Sequence, residues 1–244
     1  MRIGIKSKYL ILQAAFIMLL LLSPSLVQAQ DEAPMQQENI DTDEKTKTDL
    51  GLKIGFGFST LSGTGLENPR PYFGYAIAMY QRFHLNKKKS FAFQYEIAAR
   101  FKGANFANGD SGYSKLSLFY IEMPLLASIK LNKSERLPSY ILFGIQPGLL
   151  VKSTLAISES RKTPSYFDLP LANFDIAPVI AFQFALANRV GVQFGFKYGL
   201  RNVATNNFNS GNPKFNLKDQ PRIVPFINPG VNVRNISFEM GFVF

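Results

Sequence analysis

From Leu50 onward, large apolar residues alternate with small or polar ones at a period of two, which is the signature of strands with two unlike faces. The first run sets Leu50, Leu52, Ile54, Phe56 and Phe58 against Gly51, Lys53, Gly55, Gly57 and Ser59. The second, over 71–83, sets Phe73, Tyr75, Ile77, Met79 and Phe83 against Tyr72, Gly74, Ala76, Ala78, Tyr80 and Arg82. The third, over 90–102, sets Phe91, Phe93, Tyr95, Ile97, Ala99 and Phe101 against Gln94, Glu96, Arg100 and Lys102. Further runs follow at 115–131, 139–152, 174–187 and 190–201, and the last is RNISFEMGFVF, 234–244. Helical periodicity is absent, and after the first thirty residues no stretch is apolar enough to predict a transmembrane helix.

Strands of about ten or more residues suit a tilted crossing of a bilayer. A soluble sandwich or lipocalin-like barrel would turn its greasy face inward and carry a richly charged exterior. Here the second face is mostly Gly, Ala, Ser and Gln with a few charges of both signs, which suits the inside of a narrow barrel. Connector lengths point the same way. HLNKKKS, NKSERLP and NR are short, whereas the links after the first, third, fifth and seventh runs span about 9, 12, 21 and 32 residues. Alternation of short and long connections is the outer-membrane pattern of periplasmic turns and extracellular loops. The expected fold is all-β: an eight-stranded antiparallel transmembrane up-and-down β-barrel over residues 50–244, both termini on the periplasmic side.

The first residues are not barrel. Arg2, Lys6 and Lys8 precede the apolar run Leu10–Leu22, and Val27-Gln28-Ala29 offers small residues for cleavage between Ala29 and Gln30. Residues 1–29 therefore predict a signal peptide for Sec-type export to the outer membrane of a Gram-negative cell. Residues 30–49 have no aromatics and carry seven acids against two Lys, which predicts a disordered acidic leader. The formal charge of +10 thus understates the basicity of the barrel. Its basic residues are spread over turns, lumen and loops, so nucleic acid is not an expected partner. With no Cys, disulfides and thiolate metal sites are excluded, and no cofactor is expected. A nucleophilic barrel enzyme needs a base near its nucleophile. The lone His84 stands beside Lys87, Lys88 and Lys89 and reads as a solvated turn residue, so no catalytic residue and no enzyme is expected.

Charges on the small-residue face form the main candidate constellation: Lys53, Arg82, Glu96, Arg100, Lys102, Glu122, Lys130, Asp175, Lys197, Arg201 and Glu239. Inside so narrow a barrel they must pair or stay hydrated, so they predict a salt-bridged plug. Glu122 and Glu239 are expected to pair with Arg82, Arg100 or Arg201. A narrow conducting path is the alternative. Loops 153–173 and 202–233, the latter rich in Asn, Pro and Gly, are the expected surface for protein partners. Phe238, Met240, Phe242 and Phe244 are expected to face lipid and lipopolysaccharide, and to carry the signal read by the outer-membrane assembly machinery.

Specific stretches also resemble a known family. LGLKIGFGFSTLSG is similar to the opening strand of the Bacteroidetes outer membrane protein beta-barrel domain, or PorT-like, family. LFYIEMPLLASIKL, 118–131, resembles its Y-I-E-x-P-L-L motif, and LFGIQPGLLVKS resembles its G-x-x-P-G/Y-L strand. FDIAPVIAFQFALANRVGVQFGFKYGLRNV resembles its penultimate hairpin, with Pro178 replacing the usual apolar residue. The resemblance implies a small outer-membrane barrel and, through PorT itself, a link to type IX secretion. Either a structural or interaction platform or a narrow porin would fit.

Overall fold

The computed structural model describes residues 48–63, 66, 69–86, 88–108, 112–132, 137–158, 165–169, 171–187, 190–203 and 232–244. The expected signal peptide, its cleavage site and nearly all of the acidic leader lie outside the described residues, as does most of loop 202–233. The strands are β1 (Thr48–Gly63), β2 (Pro69–Arg70), β3 (Tyr72–His84), β4 (Phe91–Asn108), β5 (Gly112–Glu122) and β6 (Leu125–Lys130). They continue as β7 (Ser139–Ser158), β8 (Ser165–Asp168), β9 (Phe174–Ala187), β10 (Val190–Tyr198) and β11 (Val233–Val243).

All pairings are antiparallel, and they close. β1 pairs with β3, β3 with β4, and β4 with both β5 and β6. Those two pair with β7, then β9, β10 and β11 follow, and β11 returns to β1. β5 and β6 occupy one place in the ring, so the circuit has eight positions. The short β2 and β8 merely extend β4 and β7 at one end. That end carries the long connections and is called the loop end below. Both ends of the barrel chain and the short turns gather at the opposite, turn end.

Local chemistry explains the irregularities. Pro124 has no amide hydrogen and interrupts one position of the ring between β5 and β6. The gap is spanned by backbone bonds from Glu96 N–H to the Pro124 carbonyl, and from Met123 N–H to the Pro147 carbonyl, both 2.9 Å. β9 runs unbroken through Pro178, whose ring faces outward where the β10 ladder has just ended at Val179–Lys197. β7 carries a bulge opposite Phe119 and Tyr120, which pair with Lys152 and Leu150 and leave Val151 extra. Beyond it the inward positions change from even to odd. Lys152, which plain alternation places in the lumen, is exposed as a result.

Strands also reach further than the pattern predicts. β4 and β7 project to Asn108 and Ser158, and β8 folds back on β7. Much of the expected loop 153–173 is therefore a paired hairpin.

Candidate functional site

The outer surface is built from the apolar faces. Leu50, Ile54, Phe58, Phe73, Tyr75, Ile77, Met79, Ile180 and Phe238 are all exposed. Aromatic contacts run across strands, with Tyr75 and Phe101 centroids 4.7 Å apart and Phe101 and Phe119 4.6 Å apart. An apolar surface continuous around a closed ring is far larger than the patches a soluble monomer leaves in water. Phe242 and Phe244 extend it at the β1–β11 seam, with Met240 half-buried between Phe238 and Phe242.

The interior has three zones along the barrel axis. The middle zone is a belt of charge. Lys53 on β1 pairs with Glu96 on β4, which also accepts a 2.8 Å hydrogen bond from the Gln94 amide. Arg100 bridges Glu122 and Glu239. Lys102 Nζ donates to Glu122 Oε1 at 3.0 Å, lies 3.6 Å from Asp175 Oδ2 and sits 3.9 Å over the Tyr120 ring. Lys197 Nζ is 2.9 Å from Glu239 Oε1 and 3.9 Å from Glu122 Oε2. Glu96 and Glu122 are fully buried.

Glycines make room for this belt. Arg100, Lys102 and Glu239 lie over a floor that includes Gly55, Gly57, Gly74 and Ala76. A Cβ on Gly57 would come within 2.1 Å of the Phe238 carbonyl oxygen. Buried polar atoms without a protein partner, among them Tyr120 Oη, Gln146 Oε1 and Gln193 Oε1, call for lumen water.

The loop-end zone is apolar. Leu61, Leu116, Leu118, Leu155, Val203 and Val233 form a buried cluster together with Leu169 and Leu171 from the segment after β8. Leu169, Leu171 and Val203 lie outside every expected strand, and the bulge at Val151 is what turns Leu155 inward.

The turn-end zone is open. A cavity of about 890 Å³ is lined by Asp49, Tyr80, Arg82, His84, Lys88, Lys89, Lys130, Tyr140 and Gln183, among others. Arg82 donates from Nε to Gln94 Oε1 at 2.8 Å and from Nη2 to Gln183 Oε1 at 2.7 Å, and lies 4.4 Å over the Tyr140 ring.

Of the three arginines expected to pair with Glu122 and Glu239, Arg100 takes both, while Arg82 is buried and held by amide oxygens. Two expectations need correction. Arg201 is exposed beyond the end of β10, with its guanidinium 5.7 Å from the Phe174 ring, and is not part of the lumen. His84 is no solvated turn residue: β3 runs through it, it is buried, and its Nε2 lies 2.7 Å from Asp49 Oδ2. Lys130 lies half-buried on the open cavity, away from the belt. Among the described residues no cluster of His, Asp and Glu suits a metal ion.

A family model described as "Outer membrane protein beta-barrel domain" matches residues 28–205. Among solved structures, neisserial surface protein A is similar with 10% identity over 81% of this chain and 97% of that one, at a TM-score of 0.41. Ail, the attachment invasion locus protein of Yersinia pestis, is similar with 14% identity over 80% of this chain and 97% of that one, at a TM-score of 0.37. The outer membrane protein OprG of Pseudomonas aeruginosa shares 10% identity over 83% of this chain and 99% of that one, at a TM-score of 0.36. No curated protein matches the chain.

Proposed function

The chain belongs to the outer membrane protein beta-barrel domain family and is an outer-membrane protein; from that premise we propose that it is a non-enzymatic barrel whose lumen is closed and whose work is done at its ends. The observation that carries this reading is the occlusion of the interior. Behind the open turn end stands a belt in which Glu96 and Glu122 are fully buried, and behind that an apolar cluster around Leu116 and Leu118. Small ions crossing the barrel would have to displace both, so a narrow porin is disfavoured. The turn end faces the periplasm, following the rule that short turns lie there.

The long connections then serve as a structural or interaction platform on the cell exterior. The YIEMPLL stretch supports a finer assignment to the PorT-like, Bacteroidetes group and a place in a secretion or surface machinery. Lipid and lipopolysaccharide surround the apolar face, and the assembly machinery receives the chain after export and cleavage at Ala29. Two measurements on one preparation test the reading. Purified protein in planar bilayers is expected to give no stable ion steps; reproducible steps would favour the porin. Proteins that co-isolate with the chain from outer membranes are expected to be lost when 204–231 is replaced by a short turn. Their persistence would remove the platform role.

A further inference from the structure

The turn-end cavity is not used by the closed-barrel reading. Its volume of about 890 Å³ lies within the range typical of ligand sites, roughly 300–1,000 Å³. Arg82, Lys88, Lys89 and Lys130 stand on its wall. Asp49 is the one acidic side chain among the residues that line it, and it is already paired with His84 at 2.7 Å. Among the described residues, none of the four cations has a carboxylate within ion-pair distance, whereas every cation of the belt has one. The chamber therefore concentrates uncompensated positive charge on a concave wall, where the fields of several charges add.

Arg82 differs from the lysines in being fixed. It is buried on β3, and Gln94 and Gln183 accept from its Nε and Nη2 at 2.8 and 2.7 Å. Amides stand where the belt uses carboxylates, so they orient the guanidinium without cancelling its charge. Lys130 is half-buried, and Lys88 and Lys89 are exposed beside it on the chamber wall. A fixed planar fork among flexible ammonium groups suits phosphate oxygens. A lone carboxylate would engage one cation and leave the others. A phosphate carries roughly two charges and three strong acceptor oxygens, and engages several cations at once. The volume beyond so small a group, walled in part by Tyr80 and Tyr140, leaves room for the rest of an organic phosphate.

We propose that the turn-end chamber binds a phosphate-bearing ligand, with Arg82 as its fixed anchor and Lys88, Lys89 and Lys130 as the surrounding charges. The phosphate belongs either to a soluble molecule or to a lipid headgroup at the rim of the barrel. Pyrophosphate, titrated calorimetrically into the full-length protein in a nonionic detergent, is the probe and is expected to bind saturably. Lys88→Gln, Lys89→Gln and Lys130→Gln combined are expected to weaken it about tenfold. Arg82→Lys, which keeps the charge and loses the fork, is expected to weaken it too. Three exposed cations outside the chamber, Lys115, Lys152 and Arg201, are changed to Gln as the control, with affinity expected to stay within about twofold. Absence of saturable binding, or an equal loss in the control, would overturn the proposal. Citrate, a carboxylate of comparable charge, is expected to bind more weakly, and equal affinity would overturn phosphate as the ligand class. Short-chain phosphatidic acid and glycerol phosphate present the same phosphate monoester with and without acyl chains. Tighter displacement of pyrophosphate by the lipid supports a headgroup, equal displacement supports a soluble phosphate, and displacement by neither would overturn the site.

Discussion

Glu122 is fully buried among Arg100, Lys102 and Lys197. A buried ion cluster gains little over an apolar core of the same shape, but removing one partner strands the others. Glu122→Gln is therefore expected to cost about 3–5 kcal/mol. Glu96→Gln is expected to cost less, because Lys53 is its one ion-pair partner within the belt. Urea unfolding in lipid vesicles measures both. An unchanged midpoint for Glu122→Gln would mean that the belt does not hold the barrel together. That these residues face the lumen was legible from alternation alone. Among their partners, Arg100 for Glu122 and Glu239 was one of three arginines expected, whereas Lys53 for Glu96 was not foreseen, because the two stand 43 positions apart. Such pairs exist only once register is set.

The closing strand β11 shows what an element adds to its residues. Phe244 seals the ring by donating from its N–H to the Leu52 carbonyl at 2.8 Å and accepting from the Leu52 N–H at 3.1 Å. Its ring, half exposed, faces outward. Deleting the residue would remove both the seal and the aromatic group, whereas Phe244→Ala removes only the ring. Phe244→Ala is expected to slow insertion into the outer membrane while leaving export across the inner membrane and the stability of inserted protein within about 1 kcal/mol, since a surface substitution facing lipid leaves the backbone seal intact. Pulse-chase fractionation measures insertion, and normal kinetics would remove the tag reading. The strands themselves were readable because a half-buried strand must alternate. The misreadings each break that rule physically. Arg201 follows the end of a ladder, and His84 continues a strand into what looks like turn sequence.

Over the whole molecule, closure is the dominant property. β1 and β11 pair from Lys53–Val243 to Gly63–Val233, so no strand of the ring presents a free edge. Unfolding must then break a ladder along its full length while the apolar exterior stays in detergent. The unheated protein is accordingly expected to migrate differently from the boiled one on a denaturing gel. Identical migration would argue against the closed ring.

The three zones of the lumen also give the molecule a direction. The barrel lumen is stoppered at the loop end by leucines and open at the turn end. Whatever enters it comes and goes through one mouth, and equilibrates with one compartment alone. In the orientation proposed above, with the turn end toward the periplasm, the occupancy of this space follows the periplasm and is insulated from the medium outside the cell.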